Sequence, residues 1–205
     1  MLRASTAWTL LLATVLVSRA SAQSAADLAD TLRHQASTRG ALAWSASHPI
    51  VWADFRGKPR LGTPTAAQTS SGVSYVIQCR DAHLAFAVLA AFVPTESWVR
   101  PDVPLSPTAN APTLRHERTH FAITELFARR LRAALATSQG ICPHHTKDAR
   151  RIFDQLKSAA DDLQTRYDRE TAHGTNPGNQ AQWDRKIGAD LDSLNSYALE
   201  AGKDQ

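Results

Sequence analysis

A histidine, a glutamate and a second histidine stand close together in the middle of the chain, in the segment RHERTHF at residues 115–121. On an α-helix, residues four apart lie one above the other, so His116 and His120 can aim their rings at one point. Neutral imidazole nitrogens are ordinary zinc ligands. Glu117 is rotated about a third of a turn from His116 and can reach a water beside the metal. The spacing predicts a zinc ion with Glu117 as general base, and the alternative is a solvated polar helix face.

A catalytic zinc site needs a third protein ligand and one position left open. Two candidates stand at the end of the next long helix, Glu170 beside its apolar stripe and His173 where it ends. A histidine on a stiff helix end is a good ligand position, because the second helix can pack across the first. The adjacent pair His144 and His145, in a loop, is a further alternative. The residues alone leave this choice open.

Hydrolysis of an amide also needs a donor for the oxyanion. Tyr167, six residues before His173, is the candidate for this role. Tyr167 also falls on the apolar stripe of its helix, which favours a position in the core.

The elements that must position these residues begin with strands. The segment at 72–79, GVSYVIQC, alternates in the way of a half-buried strand, and the apolar run at 84–93 returns beside it. The two predict a hairpin in a mainly antiparallel sheet. The segments 41–46 and 50–55, ALAWSA and IVWADF, also have strand character, and 96–99 can extend the sheet.

The second half of the chain has helical periodicity. A helix free of Gly and Pro carries the two histidines and is predicted to run from about 113 to 135. Further helices are predicted at about 147–169 and from 180 onward, and a short one precedes the strands at 25–35. Strands followed by helices predict an α+β fold, with an N-terminal mainly antiparallel sheet and a helical half that carries a zincin-like metal helix.

The first 22 residues have the pattern of an export signal. Arg3 precedes an apolar run at 7–17, which is too short to span a bilayer, and Ala20-Ser21-Ala22 fits a signal peptidase site. Cleavage would leave residues 23–205 as a single domain in the periplasm or outside the cell, without a stable membrane span.

The composition of the chain limits the kinds of partner it is expected to bind. The 205 residues carry a formal net charge of +4, too weak and scattered to indicate nucleic-acid binding. Arg129 and Arg130 are expected to be solvated. The two cysteines, Cys79 and Cys142, permit a disulfide in an exported protein, although their spacing alone does not establish one. The oligomeric state is not indicated.

Three segments of the chain resemble the signature blocks of the domain-of-unknown-function 922 family. They are HPIVWADFRGKP at 48–59, LRHERTHFAITELFARRLR at 114–132 and YDRETAHGTNPGNQAQWDRKI at 167–187. The resemblance covers about residues 40–190. Members of the family are described as predicted secreted zinc-dependent proteases.

The resemblance implies a ligand set for the site. The T-x-H-G histidine, His173, would be the third ligand, with Glu170 as second choice by analogy with metallopeptidases that use two histidines and a glutamate. Asp168 would accept the other ring N–H of a zinc-bound histidine, or would lie on the surface of the helix end.

Together these features predict an exported zinc metallopeptidase acting on a peptide or protein. Two alternatives stay open: a non-catalytic exported domain in which zinc binds the helices together, and a zinc amidase acting on cell-wall material. A fourth side-chain ligand such as Glu170 or Cys142 would favour the structural alternative.

Overall fold

The structure is a computed structural model that describes residues 12–59, 62, 65–80, 83–103, 105, 110–138, 142 and 145–199. Its helices, in chain order, are α1 Leu12–Thr38, α2 Ala111–Thr137, α3 His145–Thr171 and α4 Pro177–Ser193. Its strands are β1 Leu42–Ala43, β2 Ala67–Gln68, β3 Ser71–Arg80, β4 His83–Phe92 and β5 Trp98–Val99. The predicted α+β class is confirmed.

The predicted hairpin is also confirmed. β3 and β4 pair antiparallel in one continuous register, from Ser71 opposite Phe92 to Arg80 opposite His83. The short β1 lies on the other side of β4, so the order of the sheet is β1-β4-β3. In the segment at 96–99, Trp98 and Val99 alone form a strand, β5, and it pairs with β2 in a separate two-stranded sheet, so it does not extend the sheet of the hairpin.

The segment IVWADF is not a strand, and that expectation is wrong. Trp52–Asp54 forms a 3-10 turn, closed by a hydrogen bond from the Asp54 N–H to the carbonyl of Val51 (2.9 Å). The Asp54 side chain accepts in turn from the Val51 N–H at 2.8 Å. A short acidic side chain that binds nearby backbone favours a turn over a ladder. Trp52 points into the core from this turn.

The sheet lies between α1 on one face and α2 with α3 on the other. Successive side chains of β4 point to opposite faces of the sheet, and both faces are covered. Val88, Ala90 and Phe92 belong to the core under α2, and Ala87 and Leu89 pack with α1. The sheet therefore supports α2 from behind, α3 packs against both the sheet and α2, and α4 packs against α2.

A second core cluster joins the three C-terminal helices. It contains Ile123, Leu126, Leu163, Tyr167, Trp183 and Ile187. The helices predicted at 113–135 and 147–169 are present, each with two more residues at both ends, whereas α1 is much longer than its prediction at 25–35. α4 ends at Ser193 and continues in a 3-10 turn at Asn195–Tyr197.

A disulfide joins Cys79 of β3 to Cys142, just before α3, with the two Cα atoms 5.6 Å apart. It ties the sheet to the start of the helix that faces α2. Closing a loop of this length stabilises a fold by roughly 4 kcal/mol in the chain-entropy model.

Half of the proposed export signal lies outside the described residues, which begin at residue 12. None of the helices in the described part of the chain has the length and apolar character needed to cross a membrane. Export remains a prediction.

One predicted surface residue is buried. Arg129 is 8% exposed and donates from Nε to Glu125 (3.0 Å) and from a terminal nitrogen to the carbonyl of Leu191 (2.7 Å). Its neighbour Arg130 is half-exposed and lies 3.8 Å from Asp190. The solvated position expected for Arg129 is therefore wrong, because α4 and the residues after it cover this face of α2.

Candidate functional site

Three ligand-type atoms converge between α2 and α3. The Nε2 atoms of His116 and His120 lie 3.1 Å apart, and each lies close to one oxygen of Asp168, at 3.1 and 3.0 Å. The histidines are one turn apart on α2, and Asp168 projects from the facing turn of α3. These three side chains form a group that could hold a metal ion.

His173 occupies a different place from the one expected. α3 ends at Thr171, and Ala172, His173 and Gly174 all take positive φ angles of 48°, 52° and 80°. This turn carries His173 to the rim, with 65% of its side chain exposed and its Nδ1 3.4 Å from Asp168. The Asp168 carboxylate therefore contacts both His173 and the pair His116 and His120. The family resemblance implied that His173 would occupy this position next to the pair.

The other candidate ligands are engaged elsewhere or not described. Glu170 accepts a hydrogen bond from the Trp183 indole at 3.0 Å, so its carboxylate is tied to α4. Cys142 is in the disulfide. His144 lies outside the described residues, and His145 begins α3.

Gly174 packs directly on His116. A Cβ at this position would lie 2.9 Å from both Cβ and Cγ of His116, closer than real Cβ atoms come. Its φ of +80° is also one that L side chains rarely adopt. The glycine of the T-x-H-G block therefore lets the turn after α3 close over the first histidine.

Tyr167 is fully buried behind the histidines. Its ring stacks on His116 at 4.6 Å between centroids and meets His120 edge-on at 4.9 Å. Its hydroxyl donates to the carbonyl of His116 (3.1 Å) and contacts Gln180. Burial raises the pKa of Tyr167 well above its usual range. The hydroxyl predicted as an oxyanion donor is thus placed in the core, where the ring fixes both imidazoles.

Two glutamines, which sequence reasoning missed, contact the far side of the imidazoles. The amide oxygen of Gln164 lies 2.6 Å from Nδ1 of His120, and that of Gln180 lies 3.1 Å from Nδ1 of His116. A signal was present, because Gln164 and Asp168 are four apart on α3, matching the spacing of the two histidines on α2.

The charges of the site favour a cation. Burial works to raise the pKa of Asp168, but hydrogen bonds from His116 and His120 outweigh it and hold that pKa well below its usual range. Burial likewise opposes the charge on His120, yet Asp168 and Glu117 raise its pKa. An ionised carboxylate therefore sits between two imidazoles and attracts positive charge.

Glu117 is buried beside this group. It is 3% exposed, and within the described part of the chain its Oε2 has no hydrogen-bond partner. Burying a carboxylate oxygen without a partner is costly, and such groups are rare in folded proteins. The carboxylate lines the same cleft as the two histidines.

The cleft that contains the site has a volume of about 650 Å³. One wall is formed by β2 and the start of β3, and the others by α2 and α3. Thr69 and Ser71 fix the strand wall to α2 through hydrogen bonds to the carbonyl of Glu117 (3.2 Å) and the hydroxyl of Thr124 (2.7 Å). His173, which is mostly exposed, lies on the rim, and Phe127 and Phe153 also line the cleft.

Residues 108–174 match the family model described as "Bacterial protein of unknown function (DUF922)". The match confirms the family resemblance over the segment that carries α2, α3 and the converging side chains. No curated protein and no solved structure matches the chain. The family description names no activity, so a function has to be argued from the site.

Proposed function

We propose that the protein is an exported zinc-dependent hydrolase that cleaves peptide bonds. His116, His120 and Asp168 would hold the zinc ion, and Glu117 would act as general base. The observation that carries the proposal is the buried Oε2 of Glu117, which has no hydrogen-bond partner among the described residues and lies beside three converging ligand atoms. A fold retains such an uncompensated group where function needs it.

The spacing of the three donors fits zinc. Ligand atoms about 2.0–2.1 Å from a tetrahedral ion lie about 3.3 Å apart. The three separations among His116, His120 and Asp168 are 3.0–3.1 Å, slightly shorter than this value. Two neutral imidazoles and one carboxylate are also a donor set that zinc accepts in catalytic sites.

When bound, zinc supplies Lewis acidity, which lowers the pKa of a water towards about 7 and polarises a carbonyl group. The chain supplies the proton transfers. Glu117 takes a proton from the attacking water and returns it to the leaving amine. With Tyr167 held in the core, His173 on the rim of the cleft is the candidate donor to the oxyanion.

The number of available ligands supports catalysis over a structural zinc site. Structural sites are closed by four side chains, whereas catalytic sites keep one position open. Among the described residues, the two candidates for a fourth ligand, Glu170 and Cys142, are bound to Trp183 and to Cys79. The group also borders a cleft large enough for part of a substrate.

Export is supported by two separate features. The first 22 residues have the pattern of a signal peptide. The Cys79–Cys142 disulfide is of the kind that persists in oxidising compartments. The proposed location is the periplasm or the extracellular medium.

The experiment that tests the function compares Glu117→Gln with the unaltered chain. Both are loaded with zinc, their metal content is measured, and they are incubated with a peptide library and with cell-wall amides. We expect Glu117→Gln to keep zinc and to lose about 10²–10⁴-fold in kcat, the usual contribution of a general base. Peptide cleavage that Glu117→Gln leaves unchanged would remove Glu117 from the mechanism.

Glu170→Gln is the matched control, because it makes the same chemical change on a carboxylate directed at Trp183. It should keep both zinc and activity. A zinc-loaded chain that cleaves only cell-wall amides would identify the amidase, and one that cleaves neither substrate class would favour a structural metal.

A further inference from the structure

We propose that Val73, Phe127 and Phe153 form a subsite in the cleft for a large apolar side chain of the substrate, away from the proposed zinc ligands. The occupant would be a phenylalanine, leucine or methionine side chain of a peptide. It would lie about three to five residues from the bond that is cleaved. The position in the substrate rests on the proposed function, whereas the apolar subsite itself belongs to the chain without metal.

The strand wall of the cleft becomes apolar as it runs away from the proposed ligands. Thr69 donates a hydrogen bond to the carbonyl of Glu117 at 3.2 Å, and Ser71 is hydrogen-bonded to Thr124 at 2.7 Å. Because successive side chains alternate along a strand, Val73 points to the same side as Ser71. Val73 is partly buried against the core under α2 and lines the cleft. The wall therefore changes from hydroxyl groups to an apolar side chain.

The two helical walls become apolar in the same direction. Phe127 follows His120 on α2, and Phe153 precedes Asp168 on α3, whose contacts with α2 run in the opposite direction. The two phenylalanine rings meet at 5.4 Å between centroids, and Phe153 also meets Tyr75 at 5.0 Å. Both phenylalanines line the cleft, and Phe153 is only partly buried. Covering its remaining apolar surface with a substrate side chain is favourable.

The charged side chains near the apolar subsite are paired with each other. Lys157 and Asp161 line the α3 side of the cleft and form an ion pair at 2.6 Å, with more than half of each side chain exposed. The pair is neutral as a whole, so it gives no net attraction for a charged substrate group. An apolar side chain is therefore the occupant that this part of the described lining favours.

The distance from the ligands sets the substrate residue that the apolar subsite would select. At about 1.5 Å per residue, Phe127 lies about 10 Å beyond His120 and about 16 Å beyond His116 along α2. An extended peptide advances about 3.3 Å per residue, so this distance corresponds to about three to five residues. Since the subsite lies on one side of the histidines, the selected residue should lie on one side of the cleaved bond.

The direct test measures peptide binding to the full chain without metal. The probes are two acetylated octapeptides of glycine and serine at millimolar concentration, one of which carries a single central phenylalanine. Nuclear magnetic resonance follows the methyl groups of Val73 and of Val76, which packs with the cluster at α1. We expect only the phenylalanine peptide to shift the Val73 signals, with Val76 unchanged. No shift at Val73, or equal shifts at both valines, would overturn the proposal.

A second test locates the selected residue in the substrate. A peptide library cleaved by the zinc-loaded chain should show phenylalanine, leucine or methionine enriched about three to five residues from the cleaved bond, on one side only. Replacing that residue with glycine should lower kcat/KM by about 10–100-fold, mainly through a higher KM. Cleavage without this enrichment would leave the hydrolase standing and remove the apolar subsite.

Phe153→Ala and Phe86→Ala form a matched pair of variants. Both shorten a partly buried phenylalanine that packs against the same core, but Phe86 lies on β4 and does not line the cleft. Phe153→Ala should reduce the preference for phenylalanine over glycine to within a few-fold, and Phe86→Ala should keep it. If Phe153→Ala retains the preference of the unaltered chain, the proposal is contradicted.

The apolar subsite and the proposed function fail separately. A chain that binds no zinc and cleaves no peptide, but shows the Val73 shift, would defeat the proposed function and leave the apolar subsite standing.

Discussion

Helix α2 carries two buried polar clusters that differ in how many of their polar atoms have hydrogen-bond partners. In its C-terminal half, Glu125 accepts from Arg129 and Arg132, and both arginines also donate to backbone carbonyls. In its N-terminal half, Glu117 has an oxygen that lacks any partner among the described residues. Both carboxylates are almost fully buried, at 2% and 3% exposed.

Under the proposed function, this difference separates a structural cluster from a catalytic one. A buried charge with all of its hydrogen bonds made can remain in a fold because breaking it is costly. The Glu125 cluster also fastens separate parts of the chain, since Arg132 bonds to Val88 of the sheet and to Tyr197 near the end. Oε2 of Glu117 joins no other part of the chain that the structure describes, and its burial is explained if a ligand or substrate supplies the partner.

The largest expected effect on stability is that of Glu125→Gln. Removing one charge from a buried pair leaves Arg129 and Arg132 without their counter-ion, so the free energy of unfolding should fall by about 3–5 kcal/mol. Urea unfolding followed by circular dichroism measures this. Glu170→Gln, which alters an exposed carboxylate, is the comparison. If Glu125→Gln lowers the free energy of unfolding by less than Glu170→Gln does, the Glu125 cluster does not hold the helices together.

Gly174→Ala should have the next largest effect, because it acts on the turn that closes over His116. The added methyl would meet the His116 side chain at 2.9 Å in a backbone conformation unfavourable to alanine. We expect a loss of about 1–3 kcal/mol together with weaker zinc binding. Thermal unfolding and chelator competition measure the two effects.

Gly188→Ala is the matched control for that substitution. Gly188 lies inside α4, and no heavy atom among the described residues would lie within 4 Å of its new Cβ. Alanine should therefore stabilise the chain by about 0.5–1 kcal/mol. If Gly174→Ala and Gly188→Ala change the free energy of unfolding in the same way, the close contact with His116 does not explain why residue 174 is a glycine.

Glu117→Gln should produce a smaller change in stability, with the opposite sign. Without zinc, replacing the unpaired carboxylate with a neutral amide should raise the free energy of unfolding by about 1 kcal/mol. The measurement is the urea midpoint of metal-free protein. A loss comparable to that of Glu125→Gln would mean that Glu117 is a structural residue, and the contrast between the two clusters would disappear.

The smallest effect is expected for an exposed ion pair. Arg150 contacts Asp154 at 2.9 Å on the outer face of α3, with more than half of each side chain in water. Arg150→Ala should leave the urea midpoint unchanged within error. A clear shift would mean that burial is not what distinguishes the Glu125 cluster.

Much of the fold could be predicted from local sequence patterns. The hairpin follows from alternation in β3, and α2 and α3 follow from long periodic runs without glycine or proline. The turn at Trp52–Asp54 was missed because the apolar residues around Asp54 resemble a strand, while the hydrogen bond of its side chain decides the conformation. The start of α1 could not be placed by pattern alone.

About half of the candidate site could be predicted from the sequence. His116, Glu117 and His120 are defined by spacing on one helix, which sequence displays directly. The sequence could not show that Asp168, and not His173, lies against the two histidines, because this depends on how α3 crosses α2 and where its last turn unwinds. Arg129 was misjudged for the same reason: the chain that covers it arrives more than sixty residues later.

The most direct test of the central claim, that Asp168 completes the zinc site with the two histidines, is the zinc content of two purified variants. We predict that Asp168→Ala loses most of its zinc while His173→Ala stays close to the unaltered chain. Full zinc in Asp168→Ala with an empty His173→Ala would contradict the account and restore the ligand set that the family resemblance implied.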